Sequence, residues 1–168
     1  AEGPVYTADQ GSMLLRLDWQ SERRVMAVFD TYLAVLDPTT GTETARYDYG
    51  GAALQSVAPG RRQTALLLTV RGGNNLVTLS ETLTPMAEIP ARQAFGVSAT
   101  DTDIYLLRPD AVACYGHDGV QNWVYSDLAS RPLAVVNAAQ PLLFTGRRAE
   151  VQEGGSLHGA ARPLPYSR

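Results

Sequence analysis

Few side chains in this chain have chemistry to offer. His117 and His158 are the only imidazoles, and Cys114 is the only thiol. A metal centre needs three or more convergent ligands, and no spacing of Cys, His, Asp and Glu in the sequence supplies them. His117 stands directly before Asp118-Gly119, residue types that tight turns demand for backbone reasons, so a turn role accounts for it. Asp30, Asp37, Asp101, Asp110 and Asp118 fall at the ends of apolar runs, where carboxylates bond nearby backbone amides and define turns. Two of them facing one pocket would be the arrangement for glycoside hydrolysis, but no spacing pairs them. The doublets Arg23-Arg24 and Arg61-Arg62 each fall between the first and second strands of a repeated unit, which predicts that they share one rim. There they would either bind an acidic partner or serve as solvated turn residues that discourage edge pairing, and the second role is the simpler. Gly72-Gly73 leads from one strand into another and reads as a hairpin, and the sequence carries no nucleophile elbow, phosphate loop or dinucleotide fingerprint. No residue is therefore assigned as catalytic, cofactor-binding or metal-binding, no cofactor is expected, and the binding surface is unassigned.

The 168 residues carry 14 basic and 17 acidic side chains, a net charge of −3 spread without blocks. Every basic residue is Arg. This distribution has no electrostatic footprint for nucleic acid. No apolar run approaches the roughly 20 residues of a membrane-spanning helix, so direct membrane insertion of this segment is not expected. With 45% apolar and 18% charged residues, the composition is that of a folded domain with one core. A single cysteine excludes an internal disulfide, and Cys114, in an alternating strand, reads as a small core residue.

The elements that must position these side chains repeat. Tyr32 to Asp37, the turn Pro38-Thr39-Thr40-Gly41 and Glu43 to Tyr47 form a strand, tight turn and strand. The same grammar returns in Leu76 to Ser80 with Met86 to Ile89, and in Ala111 to Tyr115 with Gly116-His117-Asp118-Gly119 and Asn122 to Tyr125. It returns again in Ala149 to Glu153. Taking Asp37, Ser80, Gly116 and Glu153 as equivalent, the spacings are 43, 36 and 37 residues, the length of four strands and their connections. Two further apolar runs precede each hairpin: Met13 to Leu17 and Val25 to Phe29, Leu54 to Ala58 and Ala65 to Val70, Phe95 to Ala99 and Ile104 to Leu107, Leu133 to Val136 and Leu142 to Phe144. Turns at 58–61 and 71–75 separate them. The second run of each unit is almost wholly apolar, as in Ala65-Leu66-Leu67-Leu68, which predicts cover on both faces. The fourth is polar, as in Glu43-Thr44-Ala45-Arg46-Tyr47, which predicts an outer edge facing water. The expected fold class is all-β, four consecutive four-stranded antiparallel units at about 11–48, 52–90, 93–127 and 131–168. Residues 4–7 are expected as an outer strand of a closing or preceding unit, and Leu164 to Ser167 faintly repeat that ending. A β-sandwich is the rival arrangement.

Ile104-Tyr105-Leu106-Leu107, Val112-Ala113-Cys114-Tyr115, His117-Asp118-Gly119, Trp123 and the turn Ser56 to Arg61 resemble the PQQ-like and WD40-like β-propeller families over nearly the whole chain. The Trp-Asp ending of true WD40 blades is absent. The set is also similar to membrane-anchored bacterial propellers of unknown function. The resemblance implies a protein-binding or scaffolding module, with an enzymatic propeller, quinone-dependent or glycan-processing, as the alternative. With a first residue other than Met, it also implies an extracytoplasmic placement. Propellers usually close with more than four blades, and an open arc of four leaves two apolar end faces. Further blades of a longer chain, a protein partner, a compact four-bladed closure or self-association about a twofold axis would each cover them.

Overall fold

In strands whose side chains alternate between two faces, an apolar run without polar breaks can be buried only if both faces are covered. The computed structural model, which describes residues 2–128, 130–137, 141–145, 149–151 and 162–163, meets that requirement by standing sheets side by side. The first sheet contains β1 (Leu14–Ser21), β2 (Arg24–Phe29), β3 (Tyr32–Asp37) and β4 (Thr42–Asp48). The second contains β5 (Ala53–Ala58), β6 (Gln63–Val70), β7 (Gly73–Ser80) and β8 (Pro85–Pro90). The third contains β9 (Gly96–Ala99), β10 (Asp103–Arg108), β11 (Ala111–Gly116) and β12 (Gln121–Tyr125). The fourth contains β13 (Pro132–Asn137), β14 (Pro141–Thr145), β15 (Ala149–Val151) and β16 (Arg162–Pro163). Each is an antiparallel meander in chain order. No helix occurs among the described residues. The sandwich is overturned, because strands of distant segments never share a sheet.

The parity of the core residues shows how the sheets stack. On β6, Leu66 and Leu68 face the first sheet, joining Met26, Val28, Leu33 and Val35; Ala65 and Leu67 face the third, joining Ile104, Leu106, Ala113 and Tyr115. On β10, Tyr105 and Leu107 turn the other way and join Trp123, Val135 and Leu143. Burial pushes the Tyr105 phenol and the Cys114 thiol up to about 12 each, so Cys114 is a core residue, as its alternating strand predicts. Polar side chains tie the sheets at their ends. Thr78 Oγ1 donates to the His117 carbonyl at 2.7 Å, Gln63 Nε2 to the Thr100 carbonyl at 2.8 Å, and the Val97 amide to Ser56 Oγ at 3.1 Å.

One expected turn is corrected. Residues 71–75 are not a five-residue loop: β7 begins at Gly73, and the hairpin turns on Arg71-Gly72 alone. Gly72 and Gly73 have φ of 101° and 146°, which lets the chain reverse in two residues. Asn74 and Asn75 then extend the ladder, their amides donating to the Ala94 carbonyl and to Glu88 Oε1. His158 and the expected strand at 164–167 lie outside the described residues, as does Glu153.

Leu66 is fully buried between two sheets, so Leu66→Ala should cost about 3 kcal/mol in urea unfolding. Val5→Ala, at a position 78% exposed, should stay within about 0.5 kcal/mol.

Candidate functional site

The residues singled out for their chemistry do not converge. Asp30 Oδ1 accepts the Met13 amide at 2.7 Å, Asp37 Oδ1 accepts the Thr39 amide and hydroxyl, and Asp118 Oδ1 accepts the Val120 amide. These are turn duties, and the bonds from Thr39 hold the Asp37 carboxyl below its usual range. Asp101 lies 3.9 Å from Arg62, and the Asp110 carbonyl accepts the Leu128 amide. His117 sits in the β11–β12 turn. The arginine doublets do share a rim. Arg24 donates to the Glu81 carbonyl across the first two sheets at 2.7 Å. Burial lowers its pKa, and the nearby charge of Arg61 adds to that. Arg24 therefore braces two sheets, while Glu81, Glu22 and Asp101 share the rim and interrupt a cationic surface. Among the described residues, no group of three or more His, Cys, Asp and Glu side chains is placed to hold a metal. On the opposite rim a shallow cleft of about 320 Å³ lies between the Tyr49 to Ala52 connection and Thr69, Val70 and Arg71.

The surface with the clearest unmet requirement is the outward side of the first sheet. In β5, β9 and β13, the residues Val57, Val97 and Val135 stand opposite Leu66, Leu106 and Leu143, and each packs into the cluster shared with the preceding sheet. Leu17 holds the same place in β1, opposite Ala27. It is 60% exposed, and Trp19, two residues on, is 69% exposed. A further match lies at the start of the strand: Leu14 precedes a bulge as Leu54 does, and Leu54 is packed whereas Leu14 is exposed. The alternation in β1 thus sends Leu17 and Trp19 outward and Arg16 and Asp18 towards the second sheet's side, the reverse of what a water-facing end requires.

The outer half of the same face is covered from within the chain. Residues 4–9 run across it without joining a ladder, and Tyr6 and Ala8 pack on Ala27, Phe29, Tyr32 and Ala34. Side chains hold this strap. Arg46 forms a fork on Asp9, with Nη1 and Nη2 at 2.6 and 2.8 Å from the two carboxylate oxygens, and its Nε reaches Glu43 Oε1 at 2.7 Å. Tyr6 OH donates to Glu43 Oε2 at 2.9 Å and accepts from Tyr32 OH at 3.0 Å. The Arg46 guanidinium lies 3.9 Å from the centre of the Tyr32 ring. Gly41, at φ 71°, leaves room for the strap: a Cβ there would come within 2.8 Å of the Val5 carbonyl oxygen. The connection that follows repeats those ahead of β5 and β9. Ser12 N donates to Asp9 O as Ala52 N does to Tyr49 O and Ala94 N to Ala91 O. The strap's side-chain contacts were not foreseen: residues 4–7 read as an outer strand, and in the structure they carry no strand pairing.

The strap should respond to pH. Its bonds to Arg46 lower the pKa of Asp9 and of Glu43 from their ordinary values of 3.8 and 4.5. Depressed carboxyl pKa values mean that the holding energy is present above that range and is lost as the pH falls through the folded-state values. Exchange of the Asp9 amide, which donates to Tyr32 OH at 3.2 Å, should after correction for intrinsic rates be pH-independent near neutrality and accelerate as the pH falls below the ordinary carboxyl range. Arg46→Gln should accelerate it at neutral pH by a few-fold at most.

No protein-family model and no curated protein matches the chain. Solved structures do. It is similar to the C-terminal WD40 domain of Sif2, with TM-score 0.68 and 12% identity, over 93% of this chain and 47% of that one. It is similar to BamB from Moraxella catarrhalis, with TM-score 0.63 and 11% identity, over 92% of this chain and 50% of that one. BBS1N, solved in complex with ARL6DN, aligns with TM-score 0.65 and 14% identity over 94% of this chain and 59% of that one. The chain spans about half the length of these structures. At such identities the likeness speaks for architecture, and together with the four stacked meanders it establishes the fold: the chain is a run of β-propeller blades.

Proposed function

We propose that this chain is a non-enzymatic protein-binding module whose contact surface is the apolar end face of its first blade. The observation that carries the reading is Leu17, exposed in a position whose three counterparts are packed against a neighbouring sheet. A face with exposed Leu14, Leu17 and Trp19 exceeds what scattered surface apolar residues require and fits a macromolecular partner with an apolar surface of its own. Trp19, the last member of that row on β1, is of the residue type that most often anchors protein contacts. BBS1N, one of the structural neighbours, was solved with the protein ARL6DN bound, which supports a scaffold role for this architecture. We extend the reading to an extracytoplasmic placement on the sequence resemblance alone; a reporter fusion active only outside the cytoplasm is the check.

A photo-crosslinking residue placed at Leu17 should yield a covalent adduct with a protein in the cells that make this chain, whereas the same residue at Arg62, on the exposed rim, should yield far less. Equal yields at the two positions, or none at Leu17, would remove this surface from consideration.

A further inference from the structure

The open part of the end face has an apolar floor and a backbone wall. The floor is the exposed, uncharged row Leu14, Leu17 and Trp19 of β1, continuous with the contact that Tyr6 and Ala8 make on Ala27 and Phe29. The wall is the strap. Tyr6 and Ala8 turn to the sheet while Val5, Thr7 and Asp9 are exposed, the period of a strand. Among the described residues, the amides of residues 5–8 donate to no partner and their carbonyls accept from none. Hydrogen bonding resumes at Asp9, whose amide reaches Tyr32 OH and whose carbonyl accepts from Ser12. The two inner junctions show what stands beside such a segment. Tyr47 and Tyr49 hold the corresponding place against the second sheet, and Ile89 and Ala91 against the third. There the outer strand is paired along its inner edge, β4 with β3 and β8 with β7, and that inner strand lays Leu33 and Val35, or Leu76, on the next sheet. Residues 5–8 have the place of an outer strand with no strand beside it among the described residues.

Resting on the reading that this face binds protein, we propose that its occupant is an extended segment of a partner protein, which pairs backbone to backbone with the inner edge of residues 5–8 and lays apolar side chains on Leu14 and Leu17. Two independent features converge on a strand. The unpaired edge supplies main-chain donors and acceptors, and the uncharged floor selects apolar residues at alternate positions. A helix or a flat protein surface would cover the floor and leave the amides and carbonyls of the edge without partners, a penalty that an added strand avoids. A strand about 4.8 Å from the strap lies between it and Leu17, and about five residues are enough to run its length. The strap keeps its own bonds in this arrangement. The fork of Arg46 on Asp9 and the bond from Tyr6 to Glu43 come from β4, on the outer side, away from the paired edge.

The probe is a peptide with the sequence of residues 73–80, acetylated and amidated at its ends, because β7 is a strand that pairs with an outer strand and presents Leu76 to a neighbouring sheet. At saturation it should slow amide exchange of residues 5–8 in the unmodified chain by about tenfold or more. In the Trp123→Phe chain, whose only indole is Trp19, it should move the emission to shorter wavelength. Two further versions of the peptide, N-methylated at alternate amides along one edge or the other, keep every side chain. One should lose binding and the other retain it, since pairing uses a single edge of the added strand. Binding indifferent to both methylations would overturn the proposal, and so would a Trp19 shift with unchanged exchange at residues 5–8, or no binding at all. If position 17 crosslinks to a cellular protein while residues 5–8 of that complex exchange as in the free chain, strand addition is excluded and the protein-binding reading stands. If position 17 yields no adduct, the protein-binding reading falls and takes the proposal with it. The exchange measurement needs no substitution, so the test holds even if Trp123→Phe fails to fold.

Discussion

Every blade in this molecule depends on the cover its neighbours give to both faces of its inner strands. β6 makes the constraint visible: six consecutive residues, Gln63 to Leu68, are buried, with alternate members assigned to sheets on opposite sides. A strand of this kind has no solvent face to spare, so the sheet that carries it cannot end a structure. At roughly 25 cal/mol per Å² of apolar area removed from water, loss of one neighbour would expose a large part of what holds such a sheet together. The outer strands carry the polarity that this arrangement displaces from the core, and β4 and β8 hold only exposed and half-buried positions.

The end of the arc shows the same constraint unmet on one half and met by improvisation on the other. Tyr6 and Ala8 supply cover over β2 and β3, but a segment of six residues cannot bring enough apolar surface to reach β1. It is held by ionic and hydroxyl groups, which is why its grip is sensitive to acid while the interior clusters, built almost wholly from aliphatic and aromatic side chains, are not.

Much of this was legible in the chain itself. Continuous apolar runs such as Ala65 to Leu68 can be satisfied only by two-sided cover, and that alone selects stacked sheets over a sandwich. The arginine doublets were placed on one rim by counting strands, which the brace from Arg24 to Glu81 upholds. Other features depend on contacts between residues far apart. The alternation Leu17-Asp18-Trp19 reveals two unlike faces but does not say which lacks a neighbour. The strap joins Tyr6 to Glu43 and Asp9 to Arg46 across 37 residues each, a pairing no local pattern encodes. Asn74 and Asn75 read as turn residues, yet their side chains find partners in the strand and the next connection, so the ladder runs through them. Leu83 adopts φ 58°, a conformation that Leu avoids, because burial in the cluster between the first two sheets compensates it.

The central claim is that the two faces of a blade serve different neighbours and support them separately. A double-mutant cycle tests it most directly. Leu33 and Leu66 lie on different sheets but share one cluster, whereas Leu66 and Leu67 are adjacent in one strand and face different clusters. Truncation to Ala should show coupling of about 0.5 to 3 kcal/mol for Leu33 with Leu66 and clearly weaker coupling for Leu66 with Leu67. Additive losses for Leu33 and Leu66, with strong coupling between Leu66 and Leu67, would contradict the account.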